Sequence, residues 1–139
     1  MRAMVDLDGN TVPLHQGDVL ALSCLPYGSV DDGGGFSVGL MDCPDGVVVV
    51  SQTCDALRKP TVQVAPVVRL TGAGLAEART GKSTAYLPLW IEGEELFGDM
   101  SYVSTIDRKV LEACDKKGSG LSGHYDRRLF RDLVSRRYG

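Results

Sequence analysis

The longest run of β-branched residues in the chain is Val47-Val48-Val49-Val50, and the polar cluster Ser51-Gln52-Thr53-Cys54-Asp55 follows it at once. Four β-branched residues without polar alternation predict a central strand covered on both faces. The polar residues then sit where that strand leaves the core, which makes them the leading site candidate. Around this strand the pattern predicts others. Val19–Leu25 is opened by the Gly17-Asp18 turn and ended by Pro26, and Phe36–Met41 alternates. Pro44-Asp45-Gly46 turns the chain into the central strand, and Arg58-Lys59-Pro60 turns it out again. Thr61–Leu70 is the next strand, with Pro66 marking a bulge or an edge because proline cannot donate to a ladder. Ala85–Ile91 and Ser101–Ile106 complete the set, separated by the acidic segment Glu92–Asp99. Tyr27–Gly35 is rich in glycine and acid and reads as a flexible surface loop.

The pattern then changes to helix. Asp107 suits a helix amino terminus, and Val110, Leu111 and Cys114 share one face behind it, so Cys114 is expected in the core. Ser122 caps a last helix in which Tyr125, Leu129, Leu133 and Val134 recur at helical spacing, with Phe130 beside the stripe. Arg127, Arg128 and Arg131 fall together on another side, and Arg136 and Arg137 extend the charge. The expected fold class is mainly β with C-terminal helices, in one domain over residues 1–139. Its β part spans about 12–106 and its helices about 107–117 and 123–137.

Two glycine motifs do not survive their context. Gly81-Lys82-Ser83 lacks the first glycine of a phosphate loop, since that position is Ala76. Gly118-Ser119-Gly120-Leu121-Ser122-Gly123 spells a dinucleotide fingerprint but follows a helix, so it reads as a helix–helix linker.

Composition narrows the picture further. With 139 residues, 43% hydrophobic content and 24% charge, the chain can bury a core without staples. A net charge of −3 gives no overall attraction to nucleic acid or anionic membrane, so such a partner must be met by a local patch. Met1–Asn10 has no apolar run, and a cytoplasmic protein without membrane contact is expected. Cys24, Cys43, Cys54 and Cys114 are scattered without close pairs, so reduced thiols, no metal and no cofactor are expected.

For chemistry, Cys54, Asp55, Thr53 and Ser51 are the candidate catalytic residues. Asp55 alone raises a neighbouring thiol's pKa, so a nucleophilic Cys54 needs a cation or an imidazole, and only His15 and His124 are present. The structural alternative is that Asp55 caps a turn, Ser51 and Thr53 satisfy backbone groups, and Cys54 fills the core.

The order of motifs resembles the PemK/MazF toxin family over roughly residues 16–115. Gly17-Asp18-Val19, Val47 to Ser51, Val64-Ala65-Pro66-Val67 and Ser104-Thr105-Ile106-Asp107-Arg108 stand where that family has G-D-V, R-P-x-x-V-V-S, V-A-P-I-T and Q-I-R-T-I-D-x-x-R-L. The resemblance implies a small SH3-like barrel of about six strands with helices packed on it. It also implies a homodimer, an antitoxin-like protein partner, and in many members a metal-independent endoribonuclease. In that family an arginine opening the central strand and a threonine ending the V-A-P-I-T strand serve the reaction. Here Pro44-Asp45-Gly46 and Val68 hold those places, and Arg69 would point to the other face of a regular strand.

The leading expectation is therefore a toxin-like or toxin-derived protein that contacts RNA through Gln52, Arg58, Lys59, Arg69, Arg127, Arg128 and Arg131. The alternatives are a thiol enzyme using Cys54 on a small molecule or peptide, and a non-enzymatic interaction scaffold.

Overall fold

A computed structural model describes residues 13–80, 83–121 and 127–138; the side chains of Cys54, Arg127, Arg128, Leu129 and Tyr138 lie outside the described set. In chain order the elements are β1 (Asp18–Leu20), β2 (Cys24–Val30), β3 (Phe36–Asp42), β4 (Val47–Val49), α1 (Thr53–Arg58) and β5 (Thr61–Val68). There follow α2 (Gly72–Arg79), β6 (Tyr86–Ile91), β7 (Glu94–Asp99), a 3-10 turn at Met100–Tyr102, β8 (Ser104–Asp107), α3 (Arg108–Glu112), β9 (Lys116–Ser119) and α4 (Arg127–Tyr138).

The protein is mainly β with helices packed on a curled sheet, as the pattern predicts. The main sheet runs β6-β7-β5-β4-β1-β9, with β8 also paired to β5. Its ends meet: Trp90 N–H donates to the Gly120 carbonyl at 2.9 Å, and Trp90 and Leu121 form a parallel bridge. Separately, β2 and β3 form a two-stranded ribbon.

Val47–Val50 explain the layering. Successive residues of a strand point to opposite faces. Val47 and Val49 enter a core with Leu20, Val62, Val64, Ala56, Leu111 and Cys114. Val48 and Val50 enter a second core with Val19, Val67, Leu87, Leu89, Phe130 and Leu133. Helices α1 and α3 thus close one face of the sheet and α4 the other. Each buried valine contributes roughly 1.5–3 kcal/mol. Asp107 caps α3, accepting from Lys109 N–H at 2.8 Å, and Leu111 and Cys114 are buried as expected, while Val110 stays partly exposed.

Pro66 marks neither a bulge nor an outer edge. It keeps register opposite Val47 within β5, the strand with the most partners. Val64 pairs with Val49 on one side and Ser104 on the other, whereas Val67 and Val68 pair with β7. Val67 N–H and Gln63 N–H both point to the β4 side, so the side on which Pro66 lacks an N–H faces the gap where β8 hands over to β7.

Among the described residues nine strands stand where six are expected, and each addition has a local cause. The strand expected over 19–25 is interrupted, and its end belongs to β2, which runs through Pro26 because the ribbon leaves an edge open. Only 31–35 is loop. There Asp31 Oδ1 accepts from Gly33 and Gly35 N–H at 3.0 and 2.7 Å, so glycine and acid mark the turn while Tyr27–Val30 remains strand. The acidic segment is β7, folded back on β6 by Glu92-Gly93, both at positive φ as a two-residue hairpin requires. Lys116–Ser119 is neither helix tail nor linker but β9, a short edge strand paired with β1. The start expected for the last helix, 123–126, lies outside the described residues.

Cys43 and Cys114 are buried, and burial pushes both thiols up; nearby Cys24 and Asp42 add to this at Cys43. Neither is expected to react with iodoacetamide in the folded protein at pH 8. Peptide mass mapping before and after urea tests this, and labelling of either thiol without denaturant refutes it.

Candidate functional site

The polar cluster after β4 does not form a loop: Gln52 is the N-cap residue of α1, and Thr53, Cys54 and Asp55 form its first turn. Two of its side chains hold backbone. Gln63 N–H donates to Ser51 Oγ at 2.8 Å, and Gln16 N–H donates to Thr53 Oγ1 at 3.2 Å. Gln16, itself buried, donates through Nε2 to the Val50 carbonyl at 2.8 Å. These bonds tie the segment before β1 to the exit of β4. The Asp55 side chain is exposed in the first turn of α1.

Ser51, Gln52, Asp55, Lys59, Gln63 and Val134 line one hollow of about 390 Å³. Its wall from α4 has basic flanks, because Arg131 and Arg137 lie three residues either side of Val134 and both are exposed. Lys59 and Asp55 line the hollow itself, and Asp132 is exposed beside Arg131 on α4. Arg58 is exposed at the last turn of α1, whose end is pinned by Arg108: its guanidinium donates to the Leu57 carbonyl at 2.7 Å and to that of Lys59. The Arg127 and Arg128 side chains and the thiol of Cys54 lie outside the described set, as does His124. His15 belongs to the segment tied to Thr53, and its Nδ1 is 3.8 Å from Asp18 Oδ2.

Arg69 belongs elsewhere. β5 ends at Val68, so strand alternation no longer governs Arg69, and it lines a second cavity of about 500 Å³ together with Val68 and Asp45. The two places where the resemblance expects an arginine and a threonine therefore do face one groove. Their chemistry is inverted. Arg69 Nε lies 3.2 Å from Asp45 Oδ2 and its Nη2 lies 2.8 Å from Glu94 Oε2. The Arg69 hydrogen bond holds the Glu94 carboxyl below its usual range, and the two carboxylates push the guanidinium up. Asp42, Asp45 and Asp99 all line the groove, and Arg69 is its one basic lining residue among those described. A phosphate meets net negative charge there, whereas the α1–α4 hollow is lined by one cation, Lys59, and one carboxylate, Asp55, with Arg131 and Arg137 exposed on the helix that supplies Val134.

The groove's other walls were not expected as a site. Tyr27 and Tyr102 meet edge to face with ring centroids 6.2 Å apart, and Leu40 and Met41 come from β3. Phe36–Met41 is a strand as its alternation predicts, and its apolar members Phe36, Val38 and Leu40 are exposed. A seven-residue exposed ribbon has the same period as a half-buried strand. No protein-family model matches this chain, and no curated protein matches it. Among the described residues no helix is long and apolar enough to cross a membrane.

Proposed function

We propose that this protein contacts RNA through the hollow between α1, β5 and α4, as a PemK/MazF-like barrel protein that does not use the family's cleavage positions. The observation that carries this reading is the convergence of Ser51, Gln52, Gln63 and Lys59 with the α4 wall flanked by Arg131 and Arg137. Amides and hydroxyls there can meet base edges, and the cations can meet phosphates. The acidic groove around Asp45 and Arg69 supplies neither an unshared guanidinium nor a hydroxyl at the expected positions, so phosphodiester cleavage there lacks its electrostatic partner.

The test is fluorescence anisotropy of a labelled single-stranded RNA oligonucleotide across a salt series. Binding should weaken steeply as salt rises. Lys59→Glu with Arg131→Glu should weaken it by roughly tenfold or more and flatten the salt slope, while Asp45→Asn leaves it unchanged. Absence of binding at low salt, or binding indifferent to both reversals, overturns the reading.

A thiol enzyme has one observation in its favour: the Gln16–Thr53 bond places the His15 segment beside the turn that holds Cys54. If Cys54→Ser abolishes an activity that Lys59→Glu spares, with the fold retained, the thiol reading replaces the RNA one.

A further inference from the structure

The β2–β3 ribbon presents one face that is apolar along its length. Cross-strand partners share a face, so Val30 with Phe36, Gly28 with Val38 and Pro26 with Leu40 stand on the same side. Val30, Phe36, Val38 and Leu40 are 67–74% exposed, and the Phe36 ring lies across Gly28. Such side chains together leave on the order of 500 Å² of apolar surface, the size at which a surface patch is an interaction site. At the root of the ribbon Leu40 also lines the groove of Tyr27, Tyr102 and the carboxylates of Asp42, Asp45 and Asp99. Apolar face and acidic groove are thus one continuous surface.

We propose that this surface docks a segment of another protein that lays apolar side chains along the ribbon and delivers a lysine or arginine into the groove. The charge selects that occupant. Of the two cations near the carboxylates, Arg69 is shared between Asp45 and Glu94, and Lys117 donates to the Asp45 carbonyl at 3.2 Å. The groove therefore stays net negative. Two half-exposed tyrosine rings set at 64° give an alkyl stem an apolar wall and its cationic head a π face, with the carboxylates at the rim. A single-stranded nucleic acid is repelled by the same carboxylates, which keeps this surface distinct from the hollow at α1.

The experiment uses the full chain and two fluorescent synthetic dodecapeptides, one alternating leucine with lysine and one alternating leucine with glutamate. The lysine peptide should bind and the glutamate peptide should not. Leu40→Ser should weaken binding about tenfold through lost apolar contact, and Asp45→Asn with Asp99→Asn several-fold with a flatter salt dependence. Circular dichroism confirms that the variants stay folded, and Lys59→Glu serves as a control that spares binding. The proposal is overturned if both peptides bind alike, if Leu40→Ser and the aspartate variants leave binding unchanged, or if the lysine peptide fails to bind. It is equally overturned if sedimentation shows a dimer, dispersed by Phe36→Ser, in which a second copy covers the ribbon. Loss of RNA binding by Lys59→Glu with peptide binding intact separates this surface from the RNA reading.

Discussion

Replacing Gly46 by alanine is expected to destabilise the protein by about 3 kcal/mol or more and to lower its melting temperature by roughly 10 °C. Gly46 is the last residue of the turn that feeds β4, and it holds φ +88°, a region where a side chain costs about 1–2 kcal/mol. An alanine Cβ there runs into the carbonyl oxygen of Leu20, which is backbone and cannot swing away. The strain also spreads, because the Gly46 carbonyl accepts from Val67 N–H at 2.9 Å and its own N–H donates to the Cys43 carbonyl at 3.0 Å. Moving Gly46 therefore disturbs β1, the turn and β5 together. Gly39→Ala is the matched control: it lies on the exposed ribbon with open space around it and should change stability by no more than about 0.5 kcal/mol. Urea titration of both variants checks the pair, and equal midpoints would remove Gly46 from its structural role.

The same turn shows why part of the fold can be read directly from the chain. Pro44-Asp45-Gly46 before four valines has a local meaning: a turn that needs glycine, then a strand that needs cover on both faces. Val47–Val50 meet that expectation residue by residue, with alternate members in the two cores. The ribbon shows where that reading stops. Periodicity reports the strand over Phe36–Met41 and its apolar side but not what covers that side, and Phe36, Val38 and Leu40 are exposed. Glu94 and Glu95 hide β7 in a similar way, since Leu96 and Phe97 are too short an apolar run to outweigh the acids ahead of them.

Site residues divide along the same line. Ser51, Gln52, Asp55 and Lys59 are neighbours in sequence, so a strand end followed by one helical turn is enough to bring them into one hollow. The groove is assembled from the ribbon, the turn before β4, the end of β5 and the turn before β8. No local pattern links Tyr27 to Tyr102 or Arg69 to Glu94. Arg69 illustrates the limit: a one-residue difference in where β5 ends decides whether alternation applies to it, and strand ends are the least legible feature of a pattern.

Asp18→Ala is expected to cost about 2–4 kcal/mol, more than most surface changes and close to the cost of breaking a buried ion pair. Asp18 is 1% exposed at the start of β1, the residue after Gly17 at the turn. One carboxylate oxygen accepts from His15 N–H at 2.8 Å, and the other lies 3.0 Å from Lys116 Nζ on β9. The side chain thus holds the segment that leads to Gln16 and Thr53 and also anchors the edge strand that follows α3. Removing it leaves the His15 amide without that acceptor and Lys116 without its counter-charge. Lys116 is 31% exposed and can turn toward water, which keeps the cost below that of a fully enclosed pair. Asp18→Asn preserves the amide bond and should cost about half as much. A double-mutant cycle with Lys116→Met isolates the ionic part, and a coupling near zero would show that the amide bond, and not the charge pair, is what Asp18 contributes. Hydrogen exchange gives a second reading: in Asp18→Ala the Ala21 and Gly120 amides, which bond to Asp115 and Gly17, should exchange faster well before the β4 amides do. Uniform acceleration across the sheet would mean that Asp18 supports the whole fold equally, whereas local acceleration ties it to the β1–β9 edge and to the segment that reaches the candidate site.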